Sequence, residues 1–140
     1  MRQDPATLLL TDADVRSVFD WRDAAEALRA AYAAPDDPAR YPARSMARGD
    51  RVWLRTLSGV AADGELMGAK LIAASFHRAR ASYLIPLFDQ TSAALVALLD
   101  AASITGFRTA ATSALAADCL APAGSLDVAV IGSGFEAKTH

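Results

Sequence analysis

The hydrophobic rhythm of this chain changes twice. From Asp20 onward, Trp21, Ala24, Ala25, Leu28, Ala31 and Tyr32 recur at helical spacing until Pro35-Asp36-Asp37-Pro38 interrupts them, which predicts an amphipathic helix over about 21–34. Ahead of it, Thr7 to Leu10 has the make-up of a short strand. Thr11-Asp12-Ala13-Asp14 then resembles a capping box opening a short helix to about Phe19, because a side-chain oxygen at Thr11 can accept from a free N–H. Between Arg40 and Asp100 the rhythm is that of strands: Arg44 to Arg48, Val52 to Val60, Leu66 to Phe76, Ser82 to Phe88 and Ala93 to Leu99, separated by turn-forming residues. Their spacing predicts an antiparallel or mixed meander. Ala101 to about Leu120 returns to helix, with Ile104, Phe107, Ala111 and Ala114 or Leu115 on one face, and Asp118 falls where the next apolar residue would stand.

Pro122-Ala123-Gly124 reads as a domain junction. Beyond it, Leu126-Asp127-Val128-Ala129-Val130-Ile131 reads as a buried strand, followed by Gly132-Ser133-Gly134-Phe135-Glu136-Ala137. A strand, a glycine turn and a helix start form the opening of a dinucleotide-binding unit, where free N–H groups receive a pyrophosphate. The acidic residue expected about twenty positions later for the ribose hydroxyls would fall beyond His140. The chain therefore reads as the front portion of a larger nicotinamide-dependent enzyme.

Composition narrows the class. A chain of 140 residues, 53% hydrophobic and 21% charged, can build a sizeable core. Its formal charge is -2 and its basic residues are dispersed from Arg2 to Lys138, so no footprint for nucleic acid is present. A single cysteine, Cys119, allows neither an internal disulfide nor a cysteine-rich metal site. His77 is a lone loop histidine without a second ligand beside it, and no metal site is expected. Nothing in the sequence approaches a membrane span of about eighteen apolar residues, and the opening residues lack a signal-like apolar stretch. A cytoplasmic location is the default expectation.

Taken together, Gly68-Ala69-Lys70-Leu71-Ile72, Leu87-Phe88-Asp89, Ala97-Leu98-Leu99-Asp100, Ile104 to Ala111 with its Arg108-Thr109-Ala110-Ala111 core, and Gly132-Ser133-Gly134 resemble the ornithine cyclodeaminase and mu-crystallin family in order and spacing. The Arg108 segment is the most specific of these. The resemblance implies an α+β fold: a substrate-binding and dimerisation domain over residues 1–122, with a mostly antiparallel or mixed sheet packed on helices. The first strand of a truncated Rossmann NAD(P)-binding domain would follow over residues 123–140. It further implies a homodimer using NAD or NADP, and hydride transfer at the Cα of an α-amino or imino acid. Cyclising deamination to proline is the type reaction, and dehydrogenase and ketimine reductase chemistry are its variants. The family's catalytic acid would lie beyond His140, leaving no catalytic residue in this chain and the 140-residue chain inactive alone. The alternative is a non-catalytic mu-crystallin-like binding or dimerisation module, or a gene remnant.

Several residues bear on this chemistry. Lys70 interrupts an apolar strand, where a cation needs a partner because an unpaired buried charge is costly; its plain structural role would be an edge lysine that discourages aggregation. By resemblance Lys70 binds the substrate α-carboxylate. Arg44 falls where the family places an arginine on the same carboxylate, a role its planar fork suits, although its position alone would suit a solvated strand-face arginine. Arg108 interrupts the apolar face of its helix, and the resemblance gives it to both substrate and cofactor. Counting back from Leu87-Phe88-Asp89, a cofactor-contacting threonine of some members falls on Arg80, and Ser82 offers the nearest hydroxyl. Gly132, Ser133, Gly134, Phe135 and Glu136 would receive the pyrophosphate.

Overall fold

The computed structural model describes residues 6–124 and 127–140. Six strands form one sheet in the order β1-β6-β5-β4-β3-β2: β1 (Leu8–Leu10), β2 (Ser45–Gly49), β3 (Val52–Val60), β4 (Leu66–Ser75), β5 (Arg80–Asp89) and β6 (Leu95–Asp100). Helices α1 (Asp12–Val18) and α2 (Trp21–Ala33) follow β1. Helix α3 (Ala102–Leu120) follows β6, and the short α4 (Phe135–Thr139) closes the described chain. The fold is α+β, as the alternation of rhythms predicts.

From β2 to β6 each strand runs antiparallel to the next, and β1 alone is parallel, setting Leu8 to Leu10 opposite Ala97 to Leu99. The hydroxyl of Thr7 donates to the Leu95 carbonyl at 2.8 Å and pins the start of that pairing. A two-residue period assigns the sheet's faces. The row of Trp53, Arg55 and Leu57 on β3 continues through Lys70 and Ile72 on β4 and Tyr83 on β5, all half-buried. The opposite face leaves Val52, Leu54 and Leu84 substantially exposed.

The helix ends follow local chemistry. The Asp14 carboxylate accepts from the Thr11 backbone N–H at 2.8 Å and from its hydroxyl at 2.6 Å, while Thr11 Oγ1 accepts from the Asp14 N–H at 3.3 Å. Asp20 caps α2 by accepting from the N–H groups of Arg22 and Asp23, which meets two of the orphan donors of a helix start. The β5–β6 turn is built around Asp89, whose Oδ1 accepts from the N–H groups of Thr91 and Ser92 and from the Ser92 hydroxyl at 2.7 Å. Ala93 closes this turn in the left-handed region at φ 59, so β6 starts at Leu95 and not at Ala93 as the apolar run suggests.

The chain resolves into two compact units, one of residues through Ser17 together with Asp36–Ala102, the other of Val18–Pro35 and Ser103–His140. In the second unit Phe19 stacks on Phe107 with centroids 4.3 Å apart, and Trp21 meets both rings edge-on. Arg29 on α2 bridges to Asp118 on α3 at 2.9 Å, which accounts for an acid where the apolar stripe ends. The buried face of α3 is made mainly of small residues, Ser103, Thr105, Gly106, Ala110 and Ala111, with Leu115 at its end. Ala114, the other candidate for that face, is exposed. A Cβ on Gly106 would come within 2.8 Å of Thr139 Oγ1 and 2.9 Å of the Phe135 ring, so α4 approaches α3 through the absent side chain.

The expected strand from Leu126 to Ile131 is a correction. Leu126 lies outside the described residues, and 127–131 has no regular structure, with Ile131 99% exposed. A parallel strand exists only beside a neighbour that takes its N–H and C=O groups, and the sheet's ladders involve no residue beyond Asp100. Apolar content alone could not supply that partner.

Among the described residues, three carboxylates sit below the ordinary aspartate range: Asp14 through the Thr11 hydroxyl and N–H, Asp20 through the N–H groups of Asp23 and Arg22, and Asp89 through the Ser92 hydroxyl and N–H. A depressed folded-state pKa contributes stability that is present above the unfolded value of about 3.9 and is lost as pH falls through the folded one. Thermal melts should therefore hold steady down to about pH 4 and drop below it. Asp89→Asn should flatten part of that drop, and an unchanged acid limb in this variant would show that Asp89 plays no part in it.

Candidate functional site

Lys70 lies where the central ladder opens. Pairing between β4 and β5 runs from Leu66 to Gly68 and resumes at Leu71, in one constant register that sets Lys70 across from Ile85. Pro86 has no N–H to give to the ladder, and the gap falls at this step. Gly68 makes the close approach possible, since a Cβ there would lie 2.5 Å from the Pro86 carbonyl oxygen and 3.0 Å from the Leu87 side chain. On the other side Lys70 pairs with Leu57 of β3. Its ammonium stands 5.4 Å from the centre of the Tyr83 ring, close enough for a cation–π attraction.

A cavity of about 340 Å³ opens beside Lys70, lined among others by Tyr41, Leu57, Gly59, Gly68 and Ile85. Tyr41 covers Gly59, where a Cβ would meet the tyrosine ring at 3.2 Å. The segment leading to Arg44 is held to the end of β3: Arg40 accepts from the Val60 N–H through its carbonyl and donates through its guanidinium to the Ala61 carbonyl at 3.0 Å. Arg44 is exposed and immediately precedes β2, whose first residue Ser45 pairs with Thr56. Extending that register by one residue sets Arg44 in the row of Leu57 and Lys70.

The remaining sequence candidates are distributed differently. Ser82 pairs with Ala73 and is exposed on the sheet face opposite Lys70, and Arg80, paired with Ser75, shares that face. Arg108 belongs to the second compact unit, exposed on α3. In the same unit Gly132 takes φ +130, a conformation that favours glycine, and Gly134 caps α4 with open space where a side chain would be. This turn fits the local needs of a pyrophosphate, which are bare backbone and N–H groups at Phe135 and Glu136. Cys119 is exposed, with its sulfur 4.0 Å from Arg29 Nη1. His77 lies near the Asp50 carbonyl at 3.2 Å. Among the described residues no group of three His, Cys, Asp or Glu side chains could hold a metal, and no helix is long and apolar enough to cross a membrane.

Sequence reasoning missed Arg55 and Tyr83. Arg55 occupies the same face as Lys70, its guanidinium 5.0 Å from the Trp53 ring, and its buried Nε has no hydrogen-bond partner. The signal was available: a charged residue stands between Trp53 and Leu57 in an otherwise apolar inward row.

The profile of the ornithine cyclodeaminase/mu-crystallin family matches residues 7–140. Mouse ketimine reductase mu-crystallin is 30% identical over 115 residues, covering 76% of this chain and 36% of that protein. Among solved structures, a probable ornithine cyclodeaminase from Bordetella pertussis superposes with a TM-score of 0.73 at 28% identity, covering 84% of this chain and 37% of that one. An archaeal alanine dehydrogenase dimer with bound NAD superposes with a TM-score of 0.74 at 22% identity, covering 85% of this chain and 38% of that one. The chain thus spans little more than a third of the length of these relatives.

Substitution at Gly68 tests the geometry around Lys70. Gly68→Ala should cost about 1–3 kcal/mol of stability, because the new methyl meets backbone and not a yielding side chain. Denaturant unfolding measures this, and an unchanged midpoint would mean that β4 and β5 separate there without penalty.

Proposed function

Because the chain belongs to the ornithine cyclodeaminase/mu-crystallin family, we propose that it is the substrate-binding portion of an NAD(P)-dependent enzyme acting on an α-amino or imino acid at Cα. The observation that carries this reading is Lys70, a cation beside a small cavity at the one step where the β4–β5 ladder opens. Lys70 and Arg44 bind the substrate α-carboxylate, the ammonium as a compact charge and the guanidinium as a two-pronged donor. Fixing the carboxylate fixes Cα, and orientation of this kind contributes several kcal/mol to lowering a barrier. The Tyr83 ring stands near the ammonium, and Leu57 lies across the ladder from Lys70. Arg108 contributes to both substrate and cofactor binding, and the backbone from Gly132 to Glu136 receives the pyrophosphate. Ser82, on the opposite sheet face, has no role in this account.

The nicotinamide, when bound, supplies the hydride acceptor or donor. The residues of this chain hold and orient the amino acid, and all variants of the reaction share its α-carboxylate. The domain division at about Pro122 and the homodimer are parts of the same proposal. The dimer draws support from the exposed apolar sheet face of Val52, Leu54 and Leu84, with a depression of about 580 Å³ beside Val52 and Leu54.

In the full-length protein, Lys70→Ala should weaken amino-acid binding about ten- to a hundredfold through loss of one charge-assisted bond, and leave cofactor binding nearly unchanged. Arg108→Ala should impair both. Steady-state kinetics with each ligand varied in turn will separate these outcomes, and unchanged amino-acid affinity in Lys70→Ala would return Lys70 to a purely structural role. The 140-residue polypeptide by itself should show no saturable NAD or NADP binding by calorimetry, since a glycine turn and one short helix cannot enclose a dinucleotide. Low-micromolar binding would contradict this.

A further inference from the structure

Gly59 and Gly68 face each other across β3 and β4, in the same row as Leu57 and Lys70. This step of the sheet carries no side chain on either strand, which leaves a hollow next to Lys70. The two glycines are bare for different reasons: a Cβ on Gly68 would strike the Pro86 carbonyl, whereas one on Gly59 would meet the Tyr41 ring. That ring is set in place by a well-tied strap. The Tyr41 N–H donates to the Asp37 carbonyl at 2.9 Å, and Arg40 bonds through its carbonyl to the Val60 N–H and through its guanidinium to the Ala61 carbonyl. The Ala61 carbonyl also accepts from Gln90 Nε2, which donates to the Leu66 carbonyl as well, each at 2.8 Å. Between the Arg40–Val60 bond and the Ser45–Thr56 pair, residues 41–44 run beside residues 57–59. The strap thus holds one residue more than the strand and bulges there. Tyr41 is anchored on both sides and still 51% exposed.

We infer that the hollow of Gly59 and Gly68, walled by Tyr41, receives the substrate's side chain, and that the side chain it admits is a short, uncharged aliphatic one. This rests on the proposed binding of the α-carboxylate by Lys70. The ammonium stands near Tyr83, which pairs with Ile72 on one side of Lys70, while Gly68 lies on the other. A carboxylate held at the ammonium leaves the side chain to run back along the row, over the glycines and toward Leu66 and Leu87, which line the same cavity. Among the described residues that line it, Lys70 carries the only charged side chain. A second ammonium on the ligand would meet like charge without a carboxylate in the lining, and a second carboxylate would be set among Leu66, Ile85 and Leu87. At about 340 Å³ the cavity lies at the small end of ligand sites, which run from about 300 to 1,000 Å³. Each methylene buried there is worth roughly fourfold in affinity.

The test titrates L-alanine, L-norvaline, L-ornithine and L-glutamate by calorimetry into the full-length protein without nicotinamide, so that no turnover intervenes; the last three share a five-carbon chain. Norvaline should bind about tenfold more tightly than alanine, through its two further methylenes, and at least tenfold more tightly than ornithine or glutamate. Tyr41→Ala should cut the advantage of norvaline over alanine at least fivefold while leaving alanine within threefold of its original affinity, and Tyr41→Phe should preserve that advantage. A ring with a purely structural duty would change both amino acids together or neither. If Tyr41→Ala fails to fold, Gly59→Val fills the hollow from the strand side with a residue suited to a strand, and it should weaken norvaline while sparing alanine. Ornithine or glutamate binding as tightly as norvaline, or norvaline no tighter than alanine, overturns the inference. Lys70→Ala should weaken all of them alike. Equal affinities that fall together with Lys70→Ala remove the side-chain site and leave the carboxylate site standing; binding that ignores Lys70, or no binding at all, removes both.

Discussion

A missing hydrogen atom organises the centre of this sheet. Pro86 has no backbone N–H, and it sits in β5 between two antiparallel neighbours, where every other residue type could donate to a ladder. The β4–β5 pairing lapses beside it and resumes in the same register, so the opening is local and the strands do not slip. Gly68 lets the two backbones remain close at this step. The residue brought to the opening is Lys70, whose long side chain would meet apolar neighbours in a continuous sheet. Here it has a cavity, an aromatic face and a row of small residues beside it.

Much of this was legible in the sequence because the relevant chemistry is local. Thr11 and Asp14 carry their reciprocal cap within four residues, Asp20 does the same for α2, and the alternation from Val52 to Asp100 is strong enough to place four strands within a few residues. Errors arose where the deciding partner is distant. The parallel pairing of β1 with β6 depends on a strand far along the chain, and no periodicity at Leu8 to Leu10 points to it. The apolar residues 128–131 satisfy every local criterion for a strand and still form none, because a strand is a relation between two segments. Ala93 misled through backbone conformation: an alanine in the left-handed region is rare enough that composition favours extending the strand across it.

The candidate site shows the same division. Lys70 stood out as a cation in an apolar run, but its importance depends on Pro86, sixteen positions later, facing the same step of the ladder. Arg44 gains meaning from register, through Ser45 opposite Thr56 and Leu57 opposite Lys70. Arg55 went unnoticed because arginines are common on strand surfaces, although its place between Trp53 and Leu57 already set it in an otherwise apolar row. Apolar exposure is likewise a property of faces: Val52, Leu54 and Leu84 look like core residues in sequence and lie on the open side of the sheet.

The parallel contact between β1 and β6 also bears on how the chain is made. Thr7 and Leu95, whose hydrogen bond marks the start of that pairing, are 88 residues apart. At about 5–20 residues per second, a ribosome needs roughly 4–18 s to deliver the second partner after the first. During that interval the hairpins from β2 to β5 can zip in order of synthesis, each closing a short loop, whereas Leu8 to Leu10 still wait for their partner in β6. The earliest strand of the sheet is thus the last to join it, and until β6 is made its three leucines lack the backbone partners that hold them in the folded chain.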